Sequence, residues 1–117
     1  MRYVCLVYLV ESDMNAMSKR EADACTEESL SYDEALRRSG HLIASQALQP
    51  VEAATTIRVR NGKLSTTDGP FAETKEQLGG FILIEARDLN DAIQVAAKIP
   101  MGRRGTIEVR PIKELKR

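Results

Sequence analysis

Two runs in this sequence are apolar on both of their alternating sets of positions. In residues 3–10, Tyr3, Cys5, Val7 and Leu9 fall on one face of an extended chain, and Val4, Leu6 and Tyr8 fall on the other. In residues 79–86, Phe81 and Leu83 are backed by Ile82 and Ile84. The β-branched, aromatic and aliphatic content of both runs predicts strands. A strand that is apolar on both sides must be covered on both sides. Both runs therefore belong at the centre of a sheet, and the fold must supply two covers.

The rest of the chain supplies one. Ser18 followed by Glu21 has capping-box spacing and predicts a helix start. Ala22, Cys25, Ser29, Tyr32 and Leu36 then recur at three- and four-residue intervals on one face. Gly40 ends the helix, and residues 41–48 form a second strand closed by Pro50. Residues 55–60 alternate cleanly into Asn61-Gly62, a hairpin turn in which both residues take positive φ, and residues 63–67 return. Residues 68–78 read as either a loop or one helical turn. A second helix spans residues 88–99, with Leu89, Ala92, Ile93, Ala96 and Ile99 on its apolar face. Pro100, Gly102 and Gly105 break the chain before a last strand at residues 106–112.

The order is strand–helix–strand, a hairpin insertion, then strand–helix–strand, in a single domain over residues 1–117. It predicts an α+β chain with the ferredoxin-like, split βαβ fold, counted as seven strands and two main helices. Right-handed crossovers put both helices on one face of the sheet. The other face then carries about five large apolar side chains, each worth roughly 1.5–3 kcal/mol when buried. The insertion is too polar to cover them, so the expected cover is a second copy, sheet against sheet, in a homodimer.

Composition narrows the partners. Acidic and basic residues balance at 17 each, which argues against nucleic-acid binding. The charge is uneven: residues 11–34 hold eight acids against Lys19 and Arg20, and residues 103–117 hold six bases against Glu108 and Glu114. These stretches are either solvated surface or docking surfaces. Cys5 and Cys25 read as small buried side chains, free and reduced, which fits a cytoplasmic location. The apolar N-terminal run is too short to span a membrane. No metal or cofactor motif is present. Gly79-Gly80 opens a strand and cradles no phosphate, and Gly102-Arg103-Arg104-Gly105 reads as a turn.

The most informative stretch is Asp68-Gly69-Pro70-Phe71-Ala72-Glu73-Thr74-Lys75-Glu76-Gln77-Leu78-Gly79-Gly80-Phe81. It closely resembles the signature of the DGPF-domain, YCII-related proteins. The flanking Ala54-to-Gly62 stretch and the closing Ile107-Glu108-Val109-Arg110-Pro111 are similar too, so the resemblance covers essentially the whole chain. It implies a ferredoxin-like fold in a dimeric α+β barrel and says little about activity. Some members are associated with extracytoplasmic-function sigma factors. One branch is thought to use a helix histidine with a loop aspartate. The aspartate position falls on Asp68 and the histidine position near Ser29, so this chain departs from the pair.

The residues themselves leave Asp68 two roles. With a two-residue turn at Asn61-Gly62, Arg60 pairs with Lys63 and Thr55 with Asp68, which puts Asp68 on the face of Ile57, Val59 and Leu64. A turn aspartate usually accepts the N–H two residues on, but that residue is Pro70, which has none. Asp68 then either caps the following turn or faces a semi-apolar cleft as a general base. Ser29, His41 and Arg58 are candidate ligand contacts: Ser29 on an apolar stripe, His41 at a strand start and an exposed edge, Arg58 beside Arg60 on the polar hairpin face. Tyr32 reads as core. Three functions compete: a small-molecule binding or sensing domain, a proton-transfer enzyme acting on a small organic acid through Asp68, and a protein-interaction module.

Overall fold

A computed structural model describes residues 1–117. Six strands and three α-helices follow in the order β1 (Arg2–Leu9), α1 (Glu11–Asn15), α2 (Lys19–Arg38), β2 (Leu42–Ala47), β3 (Thr55–Arg60), β4 (Lys63–Asp68), β5 (Gln77–Glu85), α3 (Leu89–Ala97) and β6 (Gly105–Pro111). The expected seventh strand is absent. Gly69 at φ +98° and Pro70 break the chain after β4, and residues 69–76 continue as bends and irregular chain. The short α1 was not expected; Glu11 and Asp13 favour its first turn.

Four strands form one antiparallel sheet in the order β2-β5-β1-β6, with the two doubly apolar strands at its centre. The chain is α+β, and this order is consistent with a ferredoxin-like fold. One face of the central pair is buried: Tyr3, Cys5 and Val7 from β1, with Ile82 and Ile84 from β5, join one core with Leu36 of α2 and Ala92, Val95 and Ala96 of α3. The expected apolar face of α3 is rotated slightly. Val95 is buried, whereas Leu89 and Ile93 are about half exposed, because the inward set is Ala92, Val95, Ala96 and Ile99 at i, i+3, i+4 and i+7. The opposite sheet face carries Val4, Leu6, Tyr8, Phe81 and Leu83, all half-buried, with no helix over them.

Local signals fix the ends of α2. The Ser18 hydroxyl accepts the Glu21 N–H at 3.1 Å while Glu21 accepts the Ser18 N–H at 3.3 Å. At the other end Gly40 takes φ +81°, which lets the His41 N–H reach Leu36 O and the Gly40 N–H reach Arg37 O. The β3–β4 hairpin is a separate two-stranded sheet in the expected register, Arg60 opposite Lys63 and Thr55 opposite Asp68. Its apolar face is bare: Ile57, Val59 and Leu64 are 63%, 58% and 67% exposed.

Candidate functional site

A predominantly apolar concavity lies between α2 and the sheet, and its cause is visible in the helix stripe. The inward residues of α2 are small at its N-terminal end (Ala22, Cys25, Ser29) and large at its C-terminal end (Tyr32, Leu36). Leu36 is the helix's sole buried residue, and the Tyr32 hydroxyl donates to Val95 O at 2.6 Å. The C-terminal half is thus fastened to the core. Beside the N-terminal half there is a cavity of about 360 Å³.

Fourteen of its twenty-two lining residues are hydrophobic, so it is an apolar chamber with a few placed polar groups. Val7 and Ile82 line the sheet side, and Met14, Met17 and Met101 are contributed by α1, the segment after it and the 3₁₀ turn Pro100–Arg103. Thioethers on flexible chains adapt to varied shapes. Thr26, Ser29 and Asp33 line it from α2, and Ser45 and Gln46 from β2. At 100° per residue, Ser29 and Asp33 are i and i+4 neighbours on one line of the helix.

Gly79 and Gly80 open the sheet side of this chamber. The β1–β5 register shifts between Val7 and Tyr8, so Gly79 is left unpaired as a bulge. A Cβ on Gly80 would lie 2.8 Å from Gln46 O. The motif also builds its own loop: Gln77 Nε2 donates to Ala72 O at 2.9 Å, and Thr106 Oγ1 to Glu76 Oε1 at 2.8 Å. A wider groove of about 710 Å³, walled by Phe71, Leu78, Tyr8 and Glu108, lies along that loop. Burial and Glu108 push the Tyr8 phenol up.

The candidates drawn from the sequence are scattered. Ser29 lines the α2 cavity. Asp68 is exposed at the end of β4 and does not line that cavity. The turn after it is closed without its carboxylate, by the Gly69 N–H to Ala54 O at 2.7 Å and the Thr56 hydroxyl to Gly69 O at 2.8 Å. Neither bond involves the Asp68 carboxylate, one of whose two expected roles was to cap this turn. Arg58 is exposed on the hairpin, away from Ile57 and Val59 on the other face. Cys5 is fully buried, and burial pushes its thiol up to about 11. Cys25, expected to be buried as well, is half-exposed on the cavity wall because α2 stands off the sheet there, and its Sγ lies 3.9 Å from Met17 Sδ.

His41 precedes an edge strand as expected, but its ring is not free in solvent. Its side chain is 22% exposed, with Nδ1 2.7 Å from the Ser39 hydroxyl and Nε2 3.1 Å from Asp91 Oδ2. Asp91 also accepts the Arg87 backbone N–H at 3.0 Å. That N–H, with His41 and the Arg87 guanidinium, holds the Asp91 carboxyl below its usual range against the opposing effect of burial. The serine–histidine–aspartate order resembles a nucleophilic triad, yet Ser39 caps the C-terminus of α2, where exposed carbonyls oppose a developing oxyanion. The array is a clamp joining the end of α2 to the start of α3.

Sequence reasoning missed Asp33 and Asp91. Asp33 was legible as the residue one turn beyond Ser29. Asp91 sits three residues after the Asp88 cap, which accepts its N–H at 2.8 Å, but nothing local announces His41 as its partner.

No helix of the structure is long and apolar enough to cross a membrane. The family model for the YCII-related domain matches residues 1–116. An uncharacterised protein of Rhizobium meliloti (strain 1021) is 37% identical over 114 residues, covering 96% of this chain and 92% of the relative. These matches show that the chain belongs to the YCII-related domain family.

Proposed function

We propose that this protein is a small-molecule binding or sensing domain that acts as a homodimer. The observation that carries the binding is the α2 cavity: about 360 Å³, mostly apolar, with Ser29 and Asp33 lining it from α2 and Ser45 from β2. Such chambers are the usual form of a ligand site, whereas core voids of this size are rare in close-packed interiors. Proton transfer by Asp68 has no comparable support, because its carboxylate is exposed and shares no cavity with Ser29. Titration with the neutral fluorophore N-phenyl-1-naphthylamine tests the reading. Saturable binding of one molecule per protomer is expected, and Ala22→Phe, which fills the chamber, should abolish it. Absence of saturable binding, or binding indifferent to Ala22→Phe, would sink the idea.

The surface supports the dimer. A folded 13.0 kDa monomer exposes about 6,300 Å², and this chain exposes 8662 Å². Its radius of gyration is 16.1 Å, against about 13 Å for a compact domain of this length. An excess of about 2,300 Å² lies within what an obligate interface removes from each partner. The helix-free sheet face and the bare hairpin face are the apolar areas available for it. In this arrangement the second copy supplies the missing layer as the other half of an α+β barrel, with the hairpin as its insertion. Sedimentation at micromolar concentration should give about twice the chain mass, and Leu6→Glu should release monomer or precipitate. A monomeric wild type would falsify the assembly.

A further inference from the structure

Resting on the reading of the α2 cavity as a binding site, we propose that it selects apolar amines, with the ammonium group held by Asp33, and rejects organic acids. Asp33 is the sole Asp, Glu, Lys, Arg or His lining the chamber. It is half-buried on α2. The other acids on that helix include several already paired: Asp23 with Lys19, Glu28 with Arg103, Glu21 with Arg104. Asp33 takes part in none of the protein's ion pairs or side-chain hydrogen bonds.

A carboxylate ligand entering this chamber would lose its hydration, meet no cation and face an unneutralised carboxylate. Burial of a charge without a partner is strongly unfavourable. A protonated amine has the opposite balance: it forms a charge-assisted hydrogen bond to Asp33, and the Ser29 and Thr26 hydroxyls offer further acceptors along the same helix. The apolar tail then lies among the methionines, which accommodate alkyl or aryl groups of varied outline. A neutral alcohol of the same length keeps the tail contacts and lacks the ion pair.

The discriminating measurement is displacement of N-phenyl-1-naphthylamine by hexylamine, hexanol and hexanoate at pH 7. Hexylamine should bind about tenfold more tightly than hexanol, the effect of one partly buried charge-assisted bond, and hexanoate should be weakest. Asp33→Asn should bring hexylamine to the level of hexanol without changing hexanol itself, and Asp33→Glu should restore much of the preference. Hexanoate binding as well as hexylamine, or an amine preference that survives Asp33→Asn, overturns the selectivity while leaving the cavity intact. If the fluorophore itself does not bind, the cavity reading fails and this inference fails with it.

Discussion

The two long helices lie on the same face of one sheet and meet it differently. α3 has nine residues and buries Asp91, Ala92, Val95 and Ala96; α2 has twenty and buries Leu36 alone. Both carry small residues on their inward faces. On α3, Ala92 and Ala96 lie within the packed core, and the larger Val95 and Ile99 beside them are buried in it as well. On α2, Tyr32 and Leu36 set the height at one end, and Arg103 and Arg104 tie Glu28 and Glu21 to the 3₁₀ turn near the other. The same small side chains thus give contact under one helix and a chamber under the other. A small-residue stripe fixes how close a helix can come; the large residues beside it decide whether it does.

The largest expected effect is a truncation under the packed helix. Ile84 is fully buried, and Ile84→Ala should lose about 2–5 kcal/mol in urea unfolding. Leu30, 54% exposed at the cavity rim, should lose no more than about 0.5 kcal/mol as Leu30→Ala. Equal losses at the two sites would erase the contrast. Next comes overpacking: Ala92→Leu should cost about 1–3 kcal/mol, while Ala22→Leu should be neutral or slightly stabilising because it enters space. Tyr32→Phe sharpens the account of what fastens α2. It removes the 2.6 Å bond to Val95 O and should cost about 1 kcal/mol, with little effect on α3.

The smallest effect is expected at acid pH, where the clamp between the helices can be read. Asp91 has its folded pKa lowered, chiefly by the Arg87 N–H. Its contribution to stability is therefore complete above the ordinary carboxyl value of about 4 and is lost as pH falls through the lower folded value. Chemical unfolding followed from pH 5 downward should show a shallower decline in Asp91→Asn than in wild type. Parallel curves would mean that Asp91 does not titrate in that window.

What the sequence disclosed was local. The capping box at Ser18, the left-handed Gly40, the Asn61-Gly62 register and the central position of the two doubly apolar strands each follow from residues within a few positions of one another. What it hid depends on distance. His41 meets Asp91 across 50 positions, and no pattern near His41 indicates a carboxylate. The choice of Val95 over Ile93 depends on the rotation of α3 by a fraction of a turn. Asp68 stands out in the motif, yet the motif's observed work is to shape a loop and a bulge. The chamber was half-legible: the gradient from Ala22 to Leu36 was present, but its volume depends on where Met14, Met17 and Met101 come to rest.

The place of β1 has a consequence for how the chain is made. Within its sheet it is the first strand to be synthesised, and both of its neighbours, β5 and β6, come from residue 77 onward. Until residue 111 has emerged, β1 lacks part of its pairing, and at about 5–20 residues per second that wait lasts seconds. Throughout it, a strand apolar on both faces with unpaired backbone edges is exposed to other nascent chains, the situation in which non-local pairing is slow and aggregation competes. The feature that organises the finished sheet is thus the one most in need of protection during synthesis.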